Sequence, residues 1–254
     1  MADDVLVSRV GAVQVITINR PEARNALDLS VATKICAAVD ELDETDELRA
    51  GVLTGAGGTF CSGMDLKAFL RGERPVIEGR GLCGITQTRP RKPMVAAVEG
   101  WALAGGFELA LACDLVVAST AARFGVPEVK RGLVASGGGA LTLASRIAPA
   151  VALELLLTGE PVDAARAFDV GLVNRLAEPG EALQTAVELA TTIAGNGPLA
   201  VAASKLLATD GTQWRADERW RRQSEIVAPV AASEDAREGA RAFAERRAPV
   251  WRGR

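Results

Sequence analysis

The feature that most constrains this chain is the stretch 93–139, PMVAAVEGWALAGGFELALACDLVVASTAARFGVPEVKRGLVASGGG. It predicts a strand, a glycine turn, a helix, a second strand, and then a glutamate behind a proline. Residues 95–98 are apolar and few, as suits a buried strand, and Glu99 with Gly100 breaks the run. Gly105 and Gly106 open a helical run over 107–113, and 115–118 reads as another buried strand. Glycine at a helix start lets a ligand approach the backbone and leaves amide N–H groups free to donate. The positive end of the helix dipole strengthens that donor site. Glu108 follows Gly105 by one turn and shares its face, so its carboxylate stands beside anything the Gly105 amide holds. Glu128, after Pro127, is the second acidic group of the stretch.

Two absences narrow the chemistry. The chain has no histidine and no tyrosine, which removes Ser-His-Asp and Cys-His catalysis and the commonest metal ligand. Cys36, Cys61, Cys83 and Cys113 are scattered without a CxxC pair, so neither a zinc site nor a disulfide framework is expected. Acid–base work falls to Asp, Glu, Lys or backbone-held water. A net charge of -3 does not point to a nucleic-acid surface. The start, MADDVLV, does not read as a signal peptide, and no apolar run is long enough for a bilayer. A cytoplasmic protein is expected. The 254 residues, 48% of them hydrophobic, suffice for one large core with a helical appendage.

Earlier in the chain, 5–7 and 13–18 read as strands of a hairpin around Gly11, followed by the polar loop PEARNALD. Ser30 is the expected cap of a helix carrying Val31, Ile35, Val39 and Leu42. Residues 52–54 form a strand running into GAGGTFCSGMDL. That loop is neither a phosphate-binding loop, nor the dinucleotide fingerprint, nor a nucleophile elbow. It is either a tight surface turn or a second backbone donor site paired with Gly105. Residues 66–92 are interrupted throughout by Gly, Pro and Arg. They read as a flexible segment with at most short helices, lining a substrate site or simply connecting. Ser136 precedes three glycines in what reads as a shaped loop. Beyond it, helices are expected over 141–147, 151–157, 163–168, 181–194 and 199–208, with a strand over 171–175. The charged tail 214–254 carries Trp214, Trp220, Phe243 and Trp251, as an amphipathic docking region would.

The segments TINRPEARNAL, GTFCSGMDL, KPMVAAVEGWALAGGFELALACDLVVA, ARFGVPEVKRGLV and LLLTGEPVDAARAFDVGLVNRL follow one another over nearly the whole chain. Together they resemble the enoyl-CoA hydratase/isomerase (crotonase) family. GGFELALACD and the tail SEDAREGARAFAERRAPVWRGR are similar to its carnitinyl-CoA dehydratase branch. The resemblance implies an α/β fold. Residues 1–195 would form a spiral of repeated β-β-α units, and 196–254 a helical C-terminal region for oligomerisation and site covering. It implies homotrimers or dimers of trimers. The implied substrate is an acyl-CoA thioester, coenzyme A being part of that substrate, with no separate cofactor, metal, nucleic acid or membrane partner.

In relatives two backbone N–H groups hold the thioester oxygen; here they map to Ser62 and Gly105. The catalytic glutamates map to Glu108 and Glu128. CoA or substrate contacts map to Arg24, Ala26, Ser62, Gly63, Met64, Asp65, Leu66, Gly106 and Arg246. Arg24 would meet the CoA phosphates and Asp65 would border adenine and pantetheine. For Arg246, ordinary helix charge is the alternative. The implied activity is reversible syn addition of water to a 2-enoyl-CoA. The alternatives are carnitinyl-CoA dehydration, double-bond isomerisation, and a non-catalytic acyl-CoA-binding subunit.

Overall fold

A computed structural model describes residues 3–254; Met1 and Ala2, the start of the MADDVLV segment, lie outside it. The chain opens with β1 (Val5–Val10) and β2 (Val13–Ile18), an antiparallel hairpin in which Val10 faces Val13 across Gly11 at φ 57°. A 3-10 turn, Pro21–Ala23, leads to α1 (Leu29–Glu44). Asp28, not Ser30, caps that helix: its Oδ1 accepts from the Val31 N–H at 2.9 Å, while Ser30 lies inside the first turn.

Next come β3 (Ala50–Gly55), α2 (Leu66–Leu70), β4 (Val76–Ile77) and β5 (Gly81–Leu82). The central stretch supplies β6 (Met94–Val98), β7 (Trp101–Leu103), α3 (Gly105–Ala112), β8 (Leu115–Ser119) and β9 (Arg123–Gly125). A second 3-10 turn, Pro127–Arg131, precedes α4 (Gly139–Arg146) and α5 (Pro149–Thr158). β10 (Val162–Asp163), α6 (Ala164–Asp169), β11 (Arg175–Ala177) and α7 (Ala182–Ala194) complete the core. Last are α8 (Pro198–Asp210), α9 (Arg219–Ala232) and α10 (Glu234–Glu245).

The main sheet has the order β1-β2-β3-β6-β8-β11, parallel from β2 onward. Its central strands are covered on both faces, which is why they are continuously apolar. Val95 and Ala97 of β6 face α7, whereas Met94, Ala96 and Val98 face the larger core around α1 and α3. α7 lies on the sheet through Ala182, Ala186, Ala190 and Ala194, a stripe at i, i+4 spacing that allows close approach. A second small sheet, β10-β9-β7, is extended by a parallel bridge between Cys61 and Ala102. The chain therefore repeats main strand, outer strand, helix, and successive repeats stack. Phe60 N–H donates to the Glu99 carbonyl and Arg123 N–H to the Gly100 carbonyl. This is the β-β-α spiral.

Two local expectations change. Within 66–92 the chain forms α2 and the β4–β5 hairpin, built on residues with positive φ: Gly79, Gly81, Cys83 and Gly84. The expected 171–175 strand is displaced to Arg175–Ala177. Leu172 and Val173 turn inward after α6, and the Asn174 side chain accepts from the Val116 N–H before pairing resumes. In the tail, Trp251 docks on the core side: its Nε1–H donates to the Gly195 carbonyl at 2.7 Å and its ring packs on Gly197 and Gly239. α9 buries no residue within the chain. Among the described residues no helix is long and apolar enough to cross a membrane.

Candidate active site

The site forms where the 61–65 segment, held by isolated bridges at Cys61 and Met64, passes the N-terminus of α3. Leu27 and Met64 form a parallel bridge: Leu27 N–H donates to the Gly63 carbonyl and Asp65 N–H to the Leu27 carbonyl, both at 2.8 Å. In such a bridge the intervening N–H points the other way, and the Met64 amide has no partner among the described residues. The Ser62 amide, in contrast, donates to the Arg24 carbonyl at 3.0 Å. The donor expected at Ser62 is therefore already engaged, and the free amide of this loop belongs to Met64.

Gly105 starts α3, so its N–H has no intrahelical acceptor and bonds to nothing else described. Ala104 before it sits at φ 50°, ψ −128°, a strained backbone held by its N–H bond to the Gly125 carbonyl. Gly63 brings the two free amides together. A Cβ there would lie 3.2 Å from the Gly105 nitrogen and 2.9 Å from the Ala104 Cβ.

Glu108, 6% exposed, follows one turn into α3. Its Oε1 accepts from the Gly139 N–H, the start of α4, at 2.8 Å. Gly137 and Gly139 enclose the carboxyl so closely that a Cβ at Gly137 would lie 2.5 Å from Oε2. Burial pushes the Glu108 carboxyl above its ordinary value; the Gly139 amide opposes this, the Glu128 charge adds to it, and the Gly137 amide opposes it. Glu128 follows Pro127 in the second 3-10 turn, and its buried Oε2 accepts no hydrogen bond among the described residues. Its carboxyl is also pushed up, by burial, against its own backbone N–H and Arg131. Cys61 beside the loop is no nucleophile, since burial drives its thiol up to about 12.

The remaining expected contacts divide. Met64 and the exposed Arg24 and Leu66 border the loop, and Arg24 has no side-chain partner among the described residues. Ala26 is buried and gives its carbonyl to Arg20. Gly106 is packed away from the opening: a Cβ there would lie 2.2 Å from the Cys61 carbonyl oxygen, so close backbone packing is its role. Asp65 is committed to structure, with Oδ1 capping α2 through the Lys67 and Ala68 amides and Oδ2 paired with Arg20. Arg246 is exposed at the end of α10, and none of its hydrogen bonds reaches this constellation.

Arg20 carries no local signal in the sequence because its charged partners are distant. It donates to the Ala26 carbonyl at 2.6 Å and pairs with Asp28 at 3.0 Å and Asp65 at 3.1 Å. These are the caps of α1 and α2, so one guanidinium holds both sides of the Leu27–Met64 bridge. Burial alone would raise the Asp65 carboxyl; the Ala68 amide, Arg20 and the Lys67 amide outweigh it and hold its pKa low. Arg20→Ala is expected to cost about 2 kcal/mol in chemical denaturation near neutral pH, the scale of a charge-assisted hydrogen bond lost from a partly buried cluster. Arg20→Lys recovers only part, lacking the forked donors. A depressed carboxyl stabilises above its unfolded value of 3.8 and loses that stabilisation as pH falls through the folded value. The Arg20→Ala deficit should therefore shrink as pH falls below 3.8.

Two free amides beside two carboxyls whose proton affinity burial raises define a class of enzyme: one that steadies a carbonyl oxygen while moving protons at neighbouring carbons. The sequence model described as enoyl-CoA hydratase/isomerase matches residues 8–254, and the chain belongs to that family. It is 40% identical over 258 residues to the enoyl-CoA hydratase EchA19 of Mycobacterium tuberculosis, covering 99% of this chain and 97% of that one. To a carnitinyl-CoA dehydratase of Salmonella typhi it is 39% identical over all of both chains. Among solved structures, enoyl-CoA hydratase EchA1 from Mycobacterium marinum superposes with a TM-score of 0.98 at 55% identity, covering 100% of both chains. The protein is an enzyme of hydratase type with the crotonase fold.

Proposed function

We propose that this enzyme is an enoyl-CoA hydratase that adds water reversibly, with syn geometry, to a 2-enoyl-CoA. The observation that carries the reading is the carboxyl pair: Glu108 and Glu128 are both raised, and one oxygen of Glu128 is buried without a donor. The thioester oxygen accepts from the Met64 and Gly105 amides, which stabilise the enolate charge. Glu108, whose ionised form is favoured by the Gly139 amide, takes a proton from water as its oxygen bonds to the β-carbon. Glu128, with no donor on Oε2, carries the proton that goes to the α-carbon. One water is consumed and the proton gained by Glu108 is returned to Glu128 through the pair, so the enzyme ends as it began. The step is redox-neutral, and coenzyme A is part of the substrate.

An enoyl chain is favoured over a trimethylammonium substrate, which wants an aromatic cage. Phe107 is 1% exposed and packs on Phe124 at 5.4 Å, and Arg74 covers the Phe69 ring at 3.9 Å. Of the aromatics near the site segments, Trp101 is left. The C-terminal region supports assembly as a trimer or dimer of trimers. α9 buries nothing, and Trp220 and Phe243 are 68% and 88% exposed.

The test is loss of conjugated-thioester absorbance with crotonyl-CoA, a long-chain enoyl-CoA and crotonobetainyl-CoA. Turnover on either plain enoyl-CoA well above crotonobetainyl-CoA is expected; no turnover on any, with acyl-CoA bound, would sink the hydratase reading. Light scattering on the same preparation reads the assembly: a monomeric mass would remove the oligomer from the proposal.

A further inference from the structure

The β4–β5 hairpin carries one apolar side chain into the space between the donor loop and the carboxyl pair. Leu82, at the end of β5, is 6% exposed. Its Cδ2 lies 3.4 Å from where a Cβ of Gly105 would be and 3.1 Å from where a Cβ of Gly137 would be. One methyl therefore spans from the α3 amide donor to the loop that encloses Glu108.

The backbone behind Leu82 has little room to move. Val76 faces Leu82 and Ile77 faces Gly81, and Cys83 N–H donates to the Pro75 carbonyl at 2.9 Å. The Leu82 N–H donates to Thr86 Oγ1 at 2.9 Å. Gly81 and Gly84 are left-handed and pressed onto their neighbours; their Cβ atoms would lie 2.5 Å from Thr86 Oγ1 and 2.5 Å from Cys36 Sγ. Cys83, fully buried, takes φ 48° without being glycine. Such strain persists only where the surroundings over-determine it.

We infer that Leu82 is a specificity-determining residue, the wall that limits how far the acyl group extends past the reacting carbons. The inference rests on the acyl-CoA reading of the site. A pinned backbone leaves only side-chain rotation to make way for a longer chain. The native enzyme then favours short, unbranched 2-enoyl thioesters. Removing the isobutyl group opens the passage between Gly105 and Gly137, and a larger ring closes it further. A single methylene in an apolar pocket is worth about 10–200-fold in discrimination.

The test separates binding from turnover. Affinities of saturated butyryl-, hexanoyl- and octanoyl-CoA are measured by calorimetry on the intact wild type, Leu82→Ala and Leu82→Phe, together with Tm. Leu82→Ala should raise the octanoyl-to-butyryl affinity ratio about tenfold or more, and Leu82→Phe should lower it. If Leu82→Ala does not fold, Leu82→Val gives the same direction with smaller size. An unchanged ratio in folded variants of both kinds overturns the inference. A shifted ratio in an enzyme that hydrates no enoyl-CoA supports it while ending the hydratase reading. Failure to bind any acyl-CoA ends both.

Discussion

Glu128→Gln is expected to lower kcat for hydration by about 10²–10⁴-fold, the usual weight of a positioned general acid or base, with affinity for a saturated acyl-CoA close to wild type. Glu108→Gln should fall by a similar factor, because in the proposed cycle the proton passes from one carboxyl to the other and neither completes it alone. Steady-state rates and a separate binding measurement make the distinction. Retention of more than about a tenth of wild-type kcat in either variant would remove that residue from the chemistry. The pH profile adds a second reading. Activity should fall on the acid side as Glu108 takes up a proton and on the alkaline side as Glu128 loses its own. In Glu128→Gln the residual rate should lose the alkaline limb.

The same carboxyls predict a conflict between stability and activity. Both bind protons more tightly in the native chain than in the unfolded one, where the value is near 4.5. Their contribution to stability is therefore complete below that value and is lost as pH rises through the higher folded values. Glu108→Gln removes the charged form that burial opposes, while the amide oxygen still accepts from Gly139. Its Tm relative to wild type should rise as pH climbs above about 4.5.

Much of this architecture was legible because the sheet is buried on both faces. Runs such as MVAAV and LVVAS are readable as strands wherever they fall. The helix with Gly105 at its start and Glu108 one turn on was readable too, since i, i+3 spacing on a helix fixes a shared face. The pairing of Glu108 with Glu128 was not local; it came from the order of motifs along the chain. What stayed hidden depended on contacts distant in sequence. Asp28 rather than Ser30 caps α1 partly because Arg20 holds it in place. The hairpin bearing Leu82 turns on positive φ at Cys83 as well as at glycines, and no propensity predicts a cysteine there. Arg20 reaches a partner 45 residues away. The glycines of 137–139 did signal a loop, but only packing shows that they leave room for the Glu108 carboxyl.

The donor loop is where motif and geometry diverge, and it gives the second large effect. Replacing the residue 64 amide by an ester, through an α-hydroxy acid, removes one N–H and keeps the chain path. Loss of one such donor should lower kcat by about 10²–10³-fold, or ~2.7–4 kcal/mol of transition-state stabilisation. The same exchange at residue 62 removes a bond to the Arg24 carbonyl instead. That should appear in denaturation as about 1 kcal/mol, with kcat little changed. Met64→Ala keeps the amide and should keep most of kcat, which separates backbone from side chain. The reverse pattern, with the ester at 62 abolishing hydration and the ester at 64 silent, would return the role to Ser62. It would also require the Ser62 amide to leave Arg24 when substrate arrives. The bridge argues against such a movement. Leu27 bonds on either side of Met64, and Arg20 ties both flanking caps, so the Met64 amide is already aimed and free. A donor that needs no rearrangement at the moment charge develops is the one that contributes most to the rate.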